Sequence, residues 1–272
     1  MKTSLKKVII AAFILIIVIP TTPRRSQADD PAARRIMEKV DARDDGDNQT
    51  SDMEMILIDK RGKKRVRRIA TYRKDKGDDT MRLMFFRHPA DVKDTSFLTF
   101  DYDDPSKDDD QWLFLPALRK TKRIASTDKS GSFMGSDLNY SDMTDRNLPD
   151  YDFNLKKEME VKGAKTWLIE SIPRTKNVIK ETGYKKSLIF VRQDNYFVIR
   201  GVHWEEDGGY LKYVDVKELE LIDGIWVATE MHVTRKKGKS LAHKTILKLN
   251  NTRFNQDLDF ELFTVRRMEK GL

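Results

Sequence analysis

Four histidines, His88, His203, His232 and His243, are the side chains of this sequence best suited to acid–base or metal chemistry. A catalytic imidazole needs a nucleophile and an orienting carboxylate, and a structural zinc needs four nitrogen or thiolate donors. The 272-residue chain has no cysteine, which excludes thiolate zinc sites, iron–sulfur clusters, thiol catalysis and disulfide scaffolds. No Ser-His-Asp spacing, Gly-x-Ser-x-Gly elbow or phosphate loop appears. If Lys237-Gly238 turns a hairpin, His232 and His243 fall opposite each other and read as a cross-strand pair. Two acidic stretches invite a calcium reading and fail it. In Asp41–Asp52, the residues Asp41, Asp45, Gly46 and Asp52 have EF-hand-like spacing, but Arg43 takes a ligand position and a strand follows. Asp101–Asp110 offers too few correctly spaced ligands. No catalytic residue, metal or cofactor is expected, and nothing argues for an enzyme.

Charge points next to a partner class. The chain carries 52 Lys plus Arg against 44 Asp plus Glu, a net +8. Lys2, Lys6 and Lys7 precede an apolar run from Val8 to Ile19, Pro20 ends it, and Ser26-Gln27-Ala28 offers small residues for cleavage. This is the pattern of a Sec-type signal peptide at 1–28, cut after Ala28. The run is too short for a membrane-spanning helix, which needs about 20 residues. Residues 1–28 hold five basic and no acidic side chains, so the mature chain falls to +3. Nucleic acid is then a poor partner. The mature chain is expected to be a soluble, monomeric protein of a bacterial periplasm, with 29–272 as a single domain.

The elements that must position any site are strands. Asp29-Asp30-Pro31 can open a helix, with Ala33, Ile36, Met37 and Val40 as its apolar stripe. Strands are then expected at Asp52–Lys60, Lys64–Arg73, Thr80–Arg87, Ser96–Tyr102, Gln111–Leu115 and Leu118–Ala125. A second series follows at Leu155–Val161, Lys165–Ile172, Tyr184–Arg192, Tyr196–Glu205, Tyr210–Leu221, Ile225–Arg235 and Ser240–Asn250. Turn signals such as Arg61-Gly62, Lys162-Gly163 and Asp223-Gly224 separate antiparallel neighbours. With no long helical pattern between strands, one large, curved antiparallel sheet or open barrel is expected. Most strands alternate apolar and charged residues. Thr80–Arg87 is apolar on both faces and needs cover on both.

Ser126–Asp150 interrupts the two series. Ser136 can cap a short helix from Asp137 that carries Leu138, Tyr140 and Met143. Phe133 and Met134 sit between Gly131 and Gly135 and must be buried somewhere. The segment reads as a lid over the apolar face of the sheet, or as a fixed plug. Arg119, Lys120, Lys122 and Arg123 could grip a phosphate head group or latch the lid through Asp137 or Asp142. Otherwise they are a solvated face. Lys63–Arg68 could dock on anionic lipid or an acidic partner, or be solvated.

Three ordered blocks, His88–Leu98, Gln111–Lys120 and Ser132–Asp137, resemble the periplasmic outer-membrane lipoprotein-sorting proteins, the LolA/LolB-like family. The resemblance covers nearly the whole mature chain. It implies a half-open antiparallel β-barrel, lidded by helices, whose concave face holds acyl chains. Several relatives look like companions of resistance-nodulation-division (RND) type lipid exporters, which implies such an inner-membrane partner. Leu83, Phe85, Trp112, Phe114, Trp167, Ile169 and Phe190 are the expected cavity wall, with Phe133, Met134, Leu138, Tyr140 and Met143 from the lid. The cargo would be a lipid or a lipidated protein carried towards the outer membrane. The alternative is a non-carrying scaffold that docks on a membrane transporter, marked by a filled core instead of a cavity. A hydrolase would need a polar cluster inside the cavity, which the strand patterns do not show.

Overall fold

A computed structural model describes residues 29–271, so the signal segment expected at 1–28 lies outside the described residues. Helix α1 (Pro31–Asp41) starts where Asp30 accepts the Ala32 amide at 2.8 Å and Pro31 needs no donor. Six strands follow: β1 (Asn48–Asp59), β2 (Lys64–Lys76), β3 (Asp79–His88), β4 (Ser96–Asp101), β5 (Asp110–Leu115) and β6 (Lys120–Arg123). After the interruption come β7 (Tyr151–Val161), β8 (Ala164–Pro173), the short helix α2 (Lys176–Thr182), β9 (Tyr184–Arg192) and β10 (Val198–Glu205). The last strands are β11 (Tyr210–Ile222), β12 (Ile225–Lys237) and β13 (Ser240–Phe254), before the helix α3 (Val265–Lys270). Every expected strand forms, and most ends extend by a few residues into a turn. The strand expected at Leu118–Ala125 instead shortens to Lys120–Arg123, because Pro116–Leu118 makes a 3₁₀ turn, and the one expected from Tyr196 begins at Val198.

All thirteen strands join one antiparallel sheet in the order β6-β5-β4-β3-β2-β1-β13-β12-β11-β10-β9-β8-β7. Two meanders are therefore sewn together by the β1–β13 ladder, in which Met53 faces Leu249 and Asp59 faces His243. The sheet curves into a half-barrel and does not close, so β6 and β7 are its two edges. The chain between them has to travel from one edge to the other. It crosses the inner face, the shorter path in a curved sheet.

The inner face is apolar along β1–β5, where Met55, Leu57, Ile69, Phe86, Phe97 and Leu113 form one buried cluster. At the other edge, α1 lays Ala33 and Met37 on Tyr151, Phe153, Ile169, Ile189 and Val191. The outer face of β3–β5 is apolar too. It is covered by the C-terminal segment, which brings Phe263 and Met268 against Leu83, Phe85 and Leu98. Both covers that Thr80–Arg87 requires are thus present.

One expectation about the hairpins fails. The β12–β13 turn is Gly238-Lys239, closed by Lys237 opposite Ser240, and a bulge follows Arg235. His232 therefore faces Ile246 and His243 faces Arg235, so the two histidines are not paired. His232 instead meets Glu230 on its own strand at 2.6 Å. A bulge adds a residue to one strand, and counting from the turn cannot register it.

Candidate functional site

The segment between β6 and β7 is not organised as the expected lid helix. Ser136 does not cap a helix at Asp137. Its hydroxyl donates to the Phe133 carbonyl at 2.7 Å and accepts the Leu138 amide at 3.1 Å, closing a loop whose ends meet in a Ser132–Asn139 bridge. Two single 3₁₀ turns, Phe133–Gly135 and Tyr140–Met143, stand where the helix was expected. Asn139 caps the second turn in a reciprocal box with Asp142. Met134 and Gly135 both adopt positive φ, +50° and +72°. That reversal points Phe133 into the sheet, and glycine makes its second half free of strain.

On the β1–β6 side the crossover is held by apolar packing. Phe133 is fully buried, with its ring 5.0 Å from that of Phe97, 5.6 Å from Tyr140 and 6.3 Å from Phe86. Leu138, Met134, Tyr140 and Met143 complete this cluster. Gln111 donates to the Tyr140 carbonyl at 2.9 Å, and Arg67 donates to the Met134 carbonyl at 2.6 Å. Val92, Phe97, Leu113 and Phe133, drawn from the three blocks that carry the resemblance, all meet here.

On the β9–β13 side the crossover is held by charge. Lys212 of β11, 1% exposed, donates to Asp142 at 3.1 Å, to Asn139 at 3.0 Å and to the Tyr184 hydroxyl at 2.5 Å. Tyr184 of β9 donates to the Asp142 carboxylate at 2.9 Å. Burial pushes the Asp142 carboxyl up, but Lys212, the Asn139 amide and Arg146 outweigh it and hold it below its ordinary range. Burial, with Asp142 beside it, raises the Tyr184 phenol well above its usual value. His203 packs 4.8 Å from the Tyr184 ring and its Nδ1 lies 2.8 Å from Ser187. Burial and then the Arg146 charge lower its imidazole to about 3, so it is neutral.

Further along β13, Asp137 is buried between Thr245 and His243, which reach it at 2.7 Å each. Lys129, 1% exposed, meets Glu181 of α2 at 2.7 Å. Gly183, which ends α2 at φ +77°, lies so close to Ser130 and Asn139 that a Cβ would stand 3.1 Å and 3.2 Å from them. Asp145 closes the far end on Arg82 at 2.6 Å.

The expected wall residues divide between the two faces. Leu83, Phe85, Trp112 and Phe114 face outward under the C-terminal segment, away from the crossover. Phe190 also faces outward, beside Leu168 and Ile199. Trp167 and Ile169 do face inward, beneath α1. The inward side chains of β3–β5 are their neighbours Met84, Phe86, Phe97 and Leu113. Alternation assigns residues to two faces, but where both parities are apolar it cannot say which face is which.

The expected latch is corrected as well. Arg123 pairs across the strands with Asp110, at 2.9 Å from its Nε, and Lys122 pairs with Asp128. Arg119 and Lys120 are exposed. None of them meets Asp137 or Asp142, whose partners are His243, Thr245, Lys212 and Tyr184. No sequence spacing links those residues to the crossover, because each belongs to a strand more than forty positions away. A buried polar cluster thus exists on the inner face where the strand patterns implied none.

A protein-family model whose description is "Uncharacterized protein" matches residues 78–270, which include the whole crossover. No curated protein matches. Among solved structures, the chain is similar to an outer membrane lipoprotein-sorting protein domain from Vibrio parahaemolyticus, at 29% identity, with 88% of this chain and 98% of that one covered and a TM-score of 0.79. It is equally similar to a DUF1329 family protein from Desulfovibrio piger, at 29% identity, 89% and 99% coverage and a TM-score of 0.80. A LolA superfamily protein from Nitrosomonas europaea shares the fold at 18% identity, 86% and 98% coverage and a TM-score of 0.64. The chain therefore belongs to the family of that model, and its open half-barrel is the fold it shares with these lipoprotein-sorting and LolA superfamily structures.

Proposed function

We propose that this protein is a periplasmic carrier that takes a lipid, or the acyl chains of a lipoprotein, into its half-barrel and passes it towards the outer membrane. An inner-membrane RND-type exporter is the proposed source. One observation carries this reading. The crossover lays Phe133, Leu138, Tyr140 and Met143 on an apolar strip of sheet, so lifting it bares two matching apolar surfaces at once. An acyl chain can replace the crossover on that strip, recovering about 0.8 kcal/mol per buried CH₂. Met53, Met55 and Met84 line the strip and Met134 lies on the crossover, and methionine adapts to chains of varied shape. The proposed cargo contacts are therefore the inward residues and the crossover, with Trp167 and Ile169 beneath α1.

A second reading, a scaffold that docks on a transporter and carries nothing, has its own support: the strip is filled, with Phe133 fully buried. Purification of the full chain from a Gram-negative host, followed by native mass spectrometry and lipid extraction, separates the two. The carrier reading expects a co-purifying lipid near one-to-one, and a Leu138→Asp variant with unchanged far-UV circular dichroism that loses it. Protein that is lipid-free and takes up neither fluorescent phospholipid nor a diacylated lipopeptide overturns the carrier in favour of the scaffold.

A further inference from the structure

The antiparallel topology puts alternate turns at opposite ends of the half-barrel, and the two ends differ in charge. At one end stand the β1–β2 turn with Arg61 and Lys63, the β12–β13 turn with Lys237 and Lys239, and the β5–β6 turn with Arg119 and Lys120. All six side chains are exposed, and none forms an ion pair among the described residues. The order β6-β5-β4-β3-β2-β1-β13-β12 makes this one continuous arc of eight strands. At about 4.8 Å between neighbours it spans roughly 34 Å. Within the arc, the β3–β4 loop is mixed in charge (Asp91, Lys93, Asp94), and beyond it the β10–β11 turn is acidic (Glu206, Asp207). The opposite end carries exposed Asp45, Asp78, Asp103 and Asp104.

Two exposed leucines sit in the basic arc. Leu118 is 68% exposed at the tip of the β5–β6 turn, directly before Arg119, and Leu241 is 41% exposed two residues after Lys239. The other large exposed apolar side chains among the described residues, Leu221 and Phe260, belong to the acidic end. Phe260 is covered there by the Lys74 ammonium, 4.0 Å above its ring.

We propose that the basic rim docks on the surface of an anionic phospholipid bilayer. Projecting turns fit this partner. Exposed charges act over about 8 Å at physiological ionic strength, so turn tips reach a flat charged surface while the rest of the molecule does not. The opposite acidic end gives the molecule a charge dipole that turns the rim towards negative potential. Leu118 then enters the head-group layer beside its basic neighbours. A cavity of about 460 Å³ opens at this same end, between the crossover (Ser130, Ser136 and Asp137 among others) and a wall that holds both the acidic Glu205–Asp207 and the basic Arg235, with His243. Docking would hold that end of the crossover against the bilayer.

Vesicle co-sedimentation with the full chain tests this without any cargo, so it stands or falls apart from the carrier reading. The probes are vesicles of phosphatidylcholine with about 30% phosphatidylglycerol, and of phosphatidylcholine alone, each in about 50 mM and about 500 mM NaCl. Binding is expected to the anionic vesicles only, weakened at least about tenfold by the higher salt. A Lys63→Glu, Lys237→Glu, Lys239→Glu variant should lose at least about tenfold in affinity, and Leu118→Ser a few-fold. Asp103→Asn with Asp104→Asn, at the far end, should bind as the parent does. No binding, equal binding to both vesicles, or a charge-reversed variant that melts and binds like the parent overturns the proposal. The first of these would favour an acidic protein partner.

Discussion

The two sides of the crossover seat are held by different physics. Over β1–β6 the contacts are rings and methyl groups, with Phe133 against Phe86, Phe97 and Tyr140. Over β9–β13 they are buried charges and hydroxyls, with Lys212, Asp142 and Tyr184 bonded in a triangle and Asp137 held by His243 and Thr245. Apolar packing is non-directional and indifferent to pH, whereas the polar side depends on protonation and on every partner being present. An apolar seat alone would tolerate sliding. The Lys212–Asp142–Tyr184 triangle fixes where the crossover lies, and it supplies a place at which the hold can be loosened selectively.

The largest expected effect lies on the apolar side. Phe133→Ala should lower unfolding free energy by about 3–5 kcal/mol, because a fully buried aromatic leaves a cavity among its ring partners. Denaturant titration should return the same loss at pH 7 and pH 5, and a strongly pH-dependent loss would blur the distinction between the two sides.

The next effect belongs to the polar side. His203 is held neutral with its pKa lowered to about 3, while in the unfolded chain it titrates near 6.5. Below pH 6.5 the unfolded state therefore binds the extra proton, and stability falls as pH drops through the window from 6.5 to about 3. Between pH 7 and pH 5 the loss should be about 2 kcal/mol. Asp142, lowered by Lys212 and the Asn139 amide against its burial, adds a loss in the same direction at lower pH. A His203→Asn variant measured at both pH values should show most of the first loss gone. If its pH dependence equals that of the parent, His203 is not the group responsible.

The smallest effect concerns the basic strand that had been expected to latch the crossover. Arg123→Ala removes a pair with Asp110 whose arginine side chain is 63% exposed. It should leave the thermal melting midpoint essentially unchanged, with no effect on lipid retention.

How much of this was legible in the sequence differs between the same two sides. The strands were legible because alternation and turn residues are local signals, and so were the apolar crossover residues, since Phe133 and Met134 between glycines had to be buried. The partners Lys212, Tyr184 and Thr245 were not. Each reads as an ordinary polar residue in a strand, and only the crossover's path brings it to Asp137 or Asp142. The wall residues show a subtler limit. Leu83, Phe85, Trp112 and Phe114 alternate correctly with Met84, Phe86 and Leu113, but both sets are apolar, so periodicity alone could not say which set faced the crossover.

The amino-acid sequence by itself determined a cysteine-free, antiparallel β-protein with a capped N-terminal helix, and an apolar interruption that has to be covered. These follow from side-chain period, turn chemistry and capping, all of which act within a few residues. Tertiary structure alone decided that β1 pairs with β13, that the crossover runs across the inner face, and that buried charges receive it there. Those outcomes depend on curvature, bulges and contacts between residues far apart in the chain, where no local periodicity carries the information.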